Sequence, residues 1–320
     1  MTWLLDRLFE QQKQPVPRFA FLSTVNWMRA LAILVEGSGF AQEALCGRFS
    51  QVQRRQPNEE ADTLSFSNLL MAMHNVAALV ALAESQHPYA VVRSGIVAWY
   101  YAIYYAAKAM IASTSGHDPQ THAKASRVWQ NDVSASMVVI PFAFALTDLT
   151  PRSIETQMSQ LRGDNPYDLT TAPVNEEQAL GAVLSYLKGT AEYERDHLEK
   201  KVRKSPQFRE QGFADFRKAG ARTLRDVELS AGHVNILTQA FRYRGKANYR
   251  DAIYLSYGSD YTNFVKPFMR DLETVAKAFS YMAAHYVAKR VISINWQHFS
   301  VDVEKLARFK LPFGLGQICQ

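Results

Sequence analysis

The stretch 236–258, ILTQAFRYRGKANYRDAIYLSYG, carries Arg242, Arg244, Lys246 and Arg250 in close succession. Cationic groups at that density near the start of one helix suit the gripping of phosphate oxygens, because a planar guanidinium offers paired N–H donors and an ammonium adds a point charge. Tyr249 follows Arg244 after four intervening residues, with Ala247 between them. Asp251 and Tyr254 come soon after, as groups able to orient a ligand or to hydrogen-bond within a bundle. A phenol ordinarily titrates near ~10, so Tyr249 can donate a hydrogen bond at neutral pH but is a poor base, whereas imidazole exchanges a proton in that range. His233, ahead of Arg244, is the reserve general base. His122, in the step Thr121-His122, is placed to brace a helix pair beside the same ligand.

Other chemistries are absent from the sequence. There is no Gly-Lys-Ser/Thr phosphate loop, dinucleotide fingerprint, His-Glu-x-x-His helix or Gly-x-Ser-x-Gly elbow, and no His/Asp/Glu cluster has metal-ligand spacing, so neither cofactor nor metal is expected. The 36 basic residues against 30 acidic ones give a net charge of +6, a weak pull toward acidic partners. Only Cys46 and Cys319 occur, in regions of different character, so no disulfide framework is expected and the compartment reads as a reducing cytoplasm. Asp6, Arg7 and Glu10 interrupt the N-terminal apolar run, which argues against a signal peptide. Lys108 and four tyrosines in the run 95–112 fit a bundle helix better than a membrane span.

Helical periodicity supplies the elements that must position these groups. Helices are expected at about 2–12, 24–36, 64–83, 121–130, 176–188, 192–204 and 261–290. A loop or lid is expected over 147–173, and a short β-like run over 291–294 begins the tail. The arginine- and lysine-dense stretch 195–225 is interleaved with Asp196, Glu199, Glu210 and Asp215, which reads as a solvated helix face. The most informative helix lies in 93–115, where Ala98, Ala102, Ala106 and Ala109 alternate with Trp99, Tyr100, Ile103, Tyr104 and Met110. Small residues there let a neighbouring helix approach while bulky ones fill space.

The residues Tyr100, Tyr101 and Ala102, then Gly116, Thr121 and His122, together with the Arg244-to-Tyr249 element, resemble the HEPN superfamily of helical bundles. The resemblance covers about residues 64–130 and 230–290. It implies an all-α, HEPN-like up-and-down helical bundle, with an N-terminal helical extension over 1–60, an insertion over 131–229 within a bundle of 61–290, and a tail over 291–320 packed on the core or on a partner. It also implies that 64–130 and 230–290 pack as one bundle. The superfamily commonly has Arg, four to six residues, then His; here Tyr249 stands in that place. That departure resembles the non-ribonuclease branch. The function so implied is an RNA- or nucleotide-binding subunit, as found in prokaryotic defence and toxin–antitoxin systems, acting as a homodimer or within a protein complex away from membranes. Two alternatives stay open: a metal-independent endoribonuclease using Arg244 with His233 or Tyr249, and a scaffold subunit.

Overall fold

A computed structural model of the chain describes all residues except 1–2, 5–6, 8–16, 135–137, 163–168, 248–252, 254, 258–261 and 319–320, with the backbone alone for 17–20, 38 and 162. The chain is all-α, with 74% helix against 1% strand. In order the helices are α1 (Pro17–Glu36), α2 (Gln42–Arg48), α3 (Glu59–Ala83), α4 (Pro88–Ser115), α5 (His122–Trp129), α6 (Pro151–Arg162), α7 (Glu176–Lys204), α8 (Pro206–Glu210), α9 (Ala219–Ser230), α10 (Ile236–Gly245), α11 (Thr262–Arg290) and α12 (Ser293–Leu306). Among the described residues the strand content is one antiparallel pair, β1 (Leu146–Thr147) with β2 (His233–Val234), in which Thr147 faces His233.

Helices begin and end where the chain supplies the chemistry for it. Asn58 caps α3 by accepting from the Ala61 amide at 3.0 Å, and Glu59, Glu60 and Asp62 place negative charge at the positive end of that helix. Pro88 opens α4, and Gly116 closes it at φ +71°, a left-handed conformation that favours glycine. Thr121 caps α5, accepting from the Lys124 amide at 3.2 Å.

The alanine-rich α4 runs through the centre of the molecule, against α3, α11 and α10. The segments 64–130 and 230–290 therefore do pack together. Helices from outside them share the same core: Trp27 and Met28 of α1 and Ala182 and Tyr186 of α7 belong to one apolar cluster with Trp99, Tyr243 and Phe279. Among the described residues one helix, α3, is long and apolar enough to cross a membrane by length and composition alone. It carries Asp62, which is buried and hydrogen-bonded by Arg55 and Asn295.

Four expectations are corrected. The helices expected at 176–188 and 192–204 are one continuous helix, α7, carried through by the burial of Leu187 and Ala191, with the Thr190 hydroxyl donating to the Tyr186 carbonyl at 2.8 Å. The expected loop over 147–173 contains α6, whose Ile154 and Met158 bury against Leu184 and Leu187 of α7. The β-like run at 291–294 leads into α12, because Val291 and Trp296 pack in a helical register on Val287 and Ala288 of α11. Cys46 is disulfide-bonded, so the cysteines do not both stand as free thiols.

Candidate functional site

Three successive residues of α10 point about 100° apart around the helix, and each finds a different surface. Tyr243 turns into the core, where its ring meets Trp27 at 4.8 Å and Trp99 at 5.3 Å and its hydroxyl donates to the Thr24 carbonyl at 2.8 Å. That anchor fixes its two neighbours. Arg242 turns toward α7, lying 4.8 Å over the Tyr193 ring and 5.6 Å over the Tyr186 ring while donating to Thr190 Oγ1 at 2.8 Å. Arg244 turns toward α4, lying 4.8 Å over Tyr100, 5.3 Å over Phe241 and 5.9 Å over Tyr101, with a hydrogen bond to the Tyr101 hydroxyl at 3.3 Å. Each guanidinium is thus held among aromatic faces, which attract it through the ring quadrupole. The Nε atoms of both are buried and have no hydrogen-bond partner among the described residues.

Both arginines open on one cavity of about 810 Å³. Its walls come from the start of α5 (Thr121, His122, Ala123, Ser126, Arg127), from α7 (Tyr193, Glu194, His197, Lys201), from Glu228 of α9 with the turn after it, from His233 of β2, and from α10 (Thr238, Phe241, Arg242, Arg244) with Lys246 beyond. The turn comes close: a Cβ at Gly232 would stand 2.9 Å from Leu149 Cδ1, so a residue with a side chain would force that wall apart. Five cationic side chains face two carboxylates around this space, and one of those, Glu228, is paired with Lys201 at 3.0 Å.

A buried polar knot holds the floor. Asn235 caps α10 by accepting from the amides of Leu237 at 3.0 Å and Thr238 at 3.2 Å, and its Nδ2 donates to the Ser126 carbonyl at 3.0 Å. Ser126 Oγ donates to Asn235 Oδ1 at 3.0 Å and also meets Thr238 Oγ1 at 2.9 Å and His233 Nε2 at 3.2 Å. A hydroxyl has one proton. With that proton on Asn235, the Nε2 of His233 must carry its own hydrogen and donate. Ser126 is therefore a tie between α5 and α10 and is not poised as a nucleophile. Burial, with the charge of Arg127, keeps His233 below the usual imidazole range despite the opposing bond to Ser126.

His122 makes a similar contact with Tyr100. Burial raises the Tyr100 phenol far above its ordinary range, and its hydroxyl lies 2.5 Å from His122 Nδ1. Burial and then Arg244 lower His122 from the usual imidazole range. Its ring packs 4.8 Å from Tyr104 and 4.9 Å from Phe241, bracing α5 against α4 and α10.

Of the residues singled out in sequence, Arg242, Arg244, Lys246, His122 and His233 line this one cavity, while Tyr249, Arg250, Asp251 and Tyr254 lie outside the described residues. Sequence reasoning missed Arg127, Tyr193, Glu194, His197 and Lys201. The legible signal was spacing: Tyr193, His197 and Lys201 recur every fourth residue, which sets them on one face of a helix read as merely solvated. Among the described residues no group of His, Cys, Asp or Glu is placed to hold a metal ion. Comparisons with family models, with curated proteins and with solved structures each return no match.

Proposed function

We propose that this protein is an HEPN-like RNA- or nucleotide-binding subunit whose cavity takes one nucleotide unit at a time. The observation that supports it most is the pair Arg242 and Arg244, each held against aromatic rings, in a cavity that also takes in the N-terminus of α5. Guanidinium groups held in place in this way grip phosphate oxygens without first having to be ordered. The start of α5 adds the positive end of a helix dipole to the same space. A volume of about 810 Å³ falls within the size of small-ligand cavities and suits a single nucleotide, free or at the tip of a strand, better than an extended duplex. The half-exposed Phe241 and Tyr193 offer flat faces of the kind on which bases stack.

A second reading, a metal-independent endoribonuclease, is favoured by the three imidazoles His122, His197 and His233 around the same space. The bonding of two of them pulls against it, since His122 has Nδ1 engaged by the Tyr100 hydroxyl and His233 has Nε2 engaged by Ser126 Oγ. Each is thereby tied to a structural partner, with one ring nitrogen left over.

The test is binding of short single-stranded RNA and of ribonucleoside monophosphates by anisotropy and calorimetry. Affinity for RNA should fall steeply with salt as phosphate counterions are released, and Arg244→Ala should reduce the magnitude of the salt slope by about one contact. Absence of binding at low salt removes nucleic acid from the reading. Cleavage of the RNA by the wild type, abolished by His122→Ala or His233→Ala in a folded protein, replaces the subunit with the ribonuclease.

A further inference from the structure

We propose that Glu194 recognises the Watson–Crick edge of guanine, so that the ligand of the cavity is a guanine nucleotide or a guanine displayed in single-stranded RNA. This inference rests on the nucleotide-binding reading and gives it a base. Two carboxylates line the cavity, and Glu228 is already taken by Lys201 at 3.0 Å. Glu194 has no hydrogen bond or ion pair among the described residues, and its nearest charges, His197 and Arg242, act on it through space. The Arg242 guanidinium gives one bond to Thr190 Oγ1 at 2.8 Å and lies 4.8 Å over the Tyr193 ring, and it makes no bond to Glu194. Glu194 is therefore an acceptor pair with open valence inside an otherwise cationic cavity.

That combination narrows the ligand. Surrounding cations exclude an amine or guanidine as the group that meets Glu194, so the ligand is an anion that also presents neutral N–H donors. An ionised carboxylate has two acceptor oxygens and no donor. Guanine alone among the common bases sets two donors side by side, N1–H and N2–H, and can fill both oxygens at once. Adenine and cytosine pair one amino donor with a ring-nitrogen acceptor, whose lone pair opposes the carboxylate. Uracil sets a single N–H between two carbonyls. Aromatic platforms for such a base line the same cavity: Tyr193, which precedes Glu194 on α7, and Phe241 on α10, both 43% exposed.

Burial moves Glu194 above the usual carboxylate range, with His197 and Arg242 opposing that shift. Protonation of Glu194 turns one acceptor into a donor and removes the match to guanine. Preference for guanine should therefore be full on the alkaline side and fade as the solution is acidified through the raised titration.

The experiment is calorimetry of the full chain with GMP, IMP and AMP at about pH 8 and again near pH 5, on wild type and on Glu194→Gln. GMP should bind at least ~10-fold tighter than AMP at the higher pH, with IMP, which lacks the N2 amino group, between them. In Glu194→Gln, GMP should lose roughly 10- to 100-fold while AMP changes by less than about 3-fold. Equal binding of GMP and AMP by the wild type overturns the guanine assignment and leaves the nucleotide reading standing. Equal losses of GMP and AMP in the variant overturn it too, because Glu194 would then serve only the shape of the cavity. Binding of none of the three overturns this assignment together with the reading it rests on.

Discussion

Arg244→Lys separates geometry from charge at the centre of the proposed site. The substitution keeps one positive charge but replaces a planar fork with a compact, strongly hydrated ammonium. In the native protein the guanidinium lies 4.8 Å over Tyr100, 5.3 Å over Phe241 and 5.9 Å over Tyr101, and it donates to the Tyr101 hydroxyl at 3.3 Å. A partly desolvated cation–π contact contributes on the order of 0.5–2 kcal/mol. The contacts overlap on one group, and lysine retains part of the attraction, so the net loss of folding stability should be about 1–2 kcal/mol. Binding loses a different quantity. A second charge-assisted bond to phosphate contributes about 1.5–3 kcal/mol, which at about 1.4 kcal/mol per decade weakens binding roughly 10- to 150-fold. Calorimetry or anisotropy at two salt concentrations measures it. The affinity should drop by that factor at both salts while the slope of log K against log salt stays that of the wild type, since no charge has been removed. Wild-type affinity in Arg244→Lys would refute the planar clamp. A shallower salt slope would show that the variant had withdrawn a charge from the ligand, contrary to the reasoning.

Asn235→Ala removes the cap of α10 and its bonds to the carbonyl and hydroxyl of Ser126, so urea unfolding should show a loss of about 2–4 kcal/mol, and a loss under about 1 kcal/mol would mean that the knot beneath the cavity is not structural. Acid stability should carry two opposed contributions. His285 is buried with both ring nitrogens unpartnered, and burial with Lys289 lowers it to about 4, so the unfolded chain binds its proton first and stability is lost as pH falls from about 6.5 toward 4, by up to about 3 kcal/mol. Asp271 is raised to about 6 by burial, against the pull of Arg29, so the folded state takes up its proton first and acidification from about 6 to 3.8 returns a similar amount. His285→Phe should leave only the second contribution, and its stability relative to wild type, followed by denaturation at successive pH values, should rise by about 2–3 kcal/mol between pH 7 and 4; a difference that does not change with pH would refute the buried neutral imidazole.

Local signals and long-range pairing differ in how much of them a single chain displays. The cap at Thr121 and the stop at Gly116 are settled within a few residues, and the sequence placed both, whereas it began α3 at residue 64, five residues past the start that the Asn58 cap sets. The single run of α7 was less visible because Gly189 and Thr190 resemble a break, and only burial of Leu187 and Ala191 on either side keeps the helix going. The arginines were legible as a cluster, but not their separation. Adjacent cations on a solvated helix would be equivalent; here Tyr243, at 1% exposure, pins α10 so that Arg242 must meet α7 and Arg244 must meet α4. The partners that make the cavity a site, Tyr193, Glu194 and His197, lie some fifty residues upstream on a helix whose charges suggested solvent alone. Their meeting with α10 depends on the ring of Trp27 stacking on Tyr186 at 4.1 Å, a contact between α1 and α7. The site thus depends on helices outside the two segments that carried the resemblance, and the recognition of a base at Glu194 is the part of the function that those outer helices would supply.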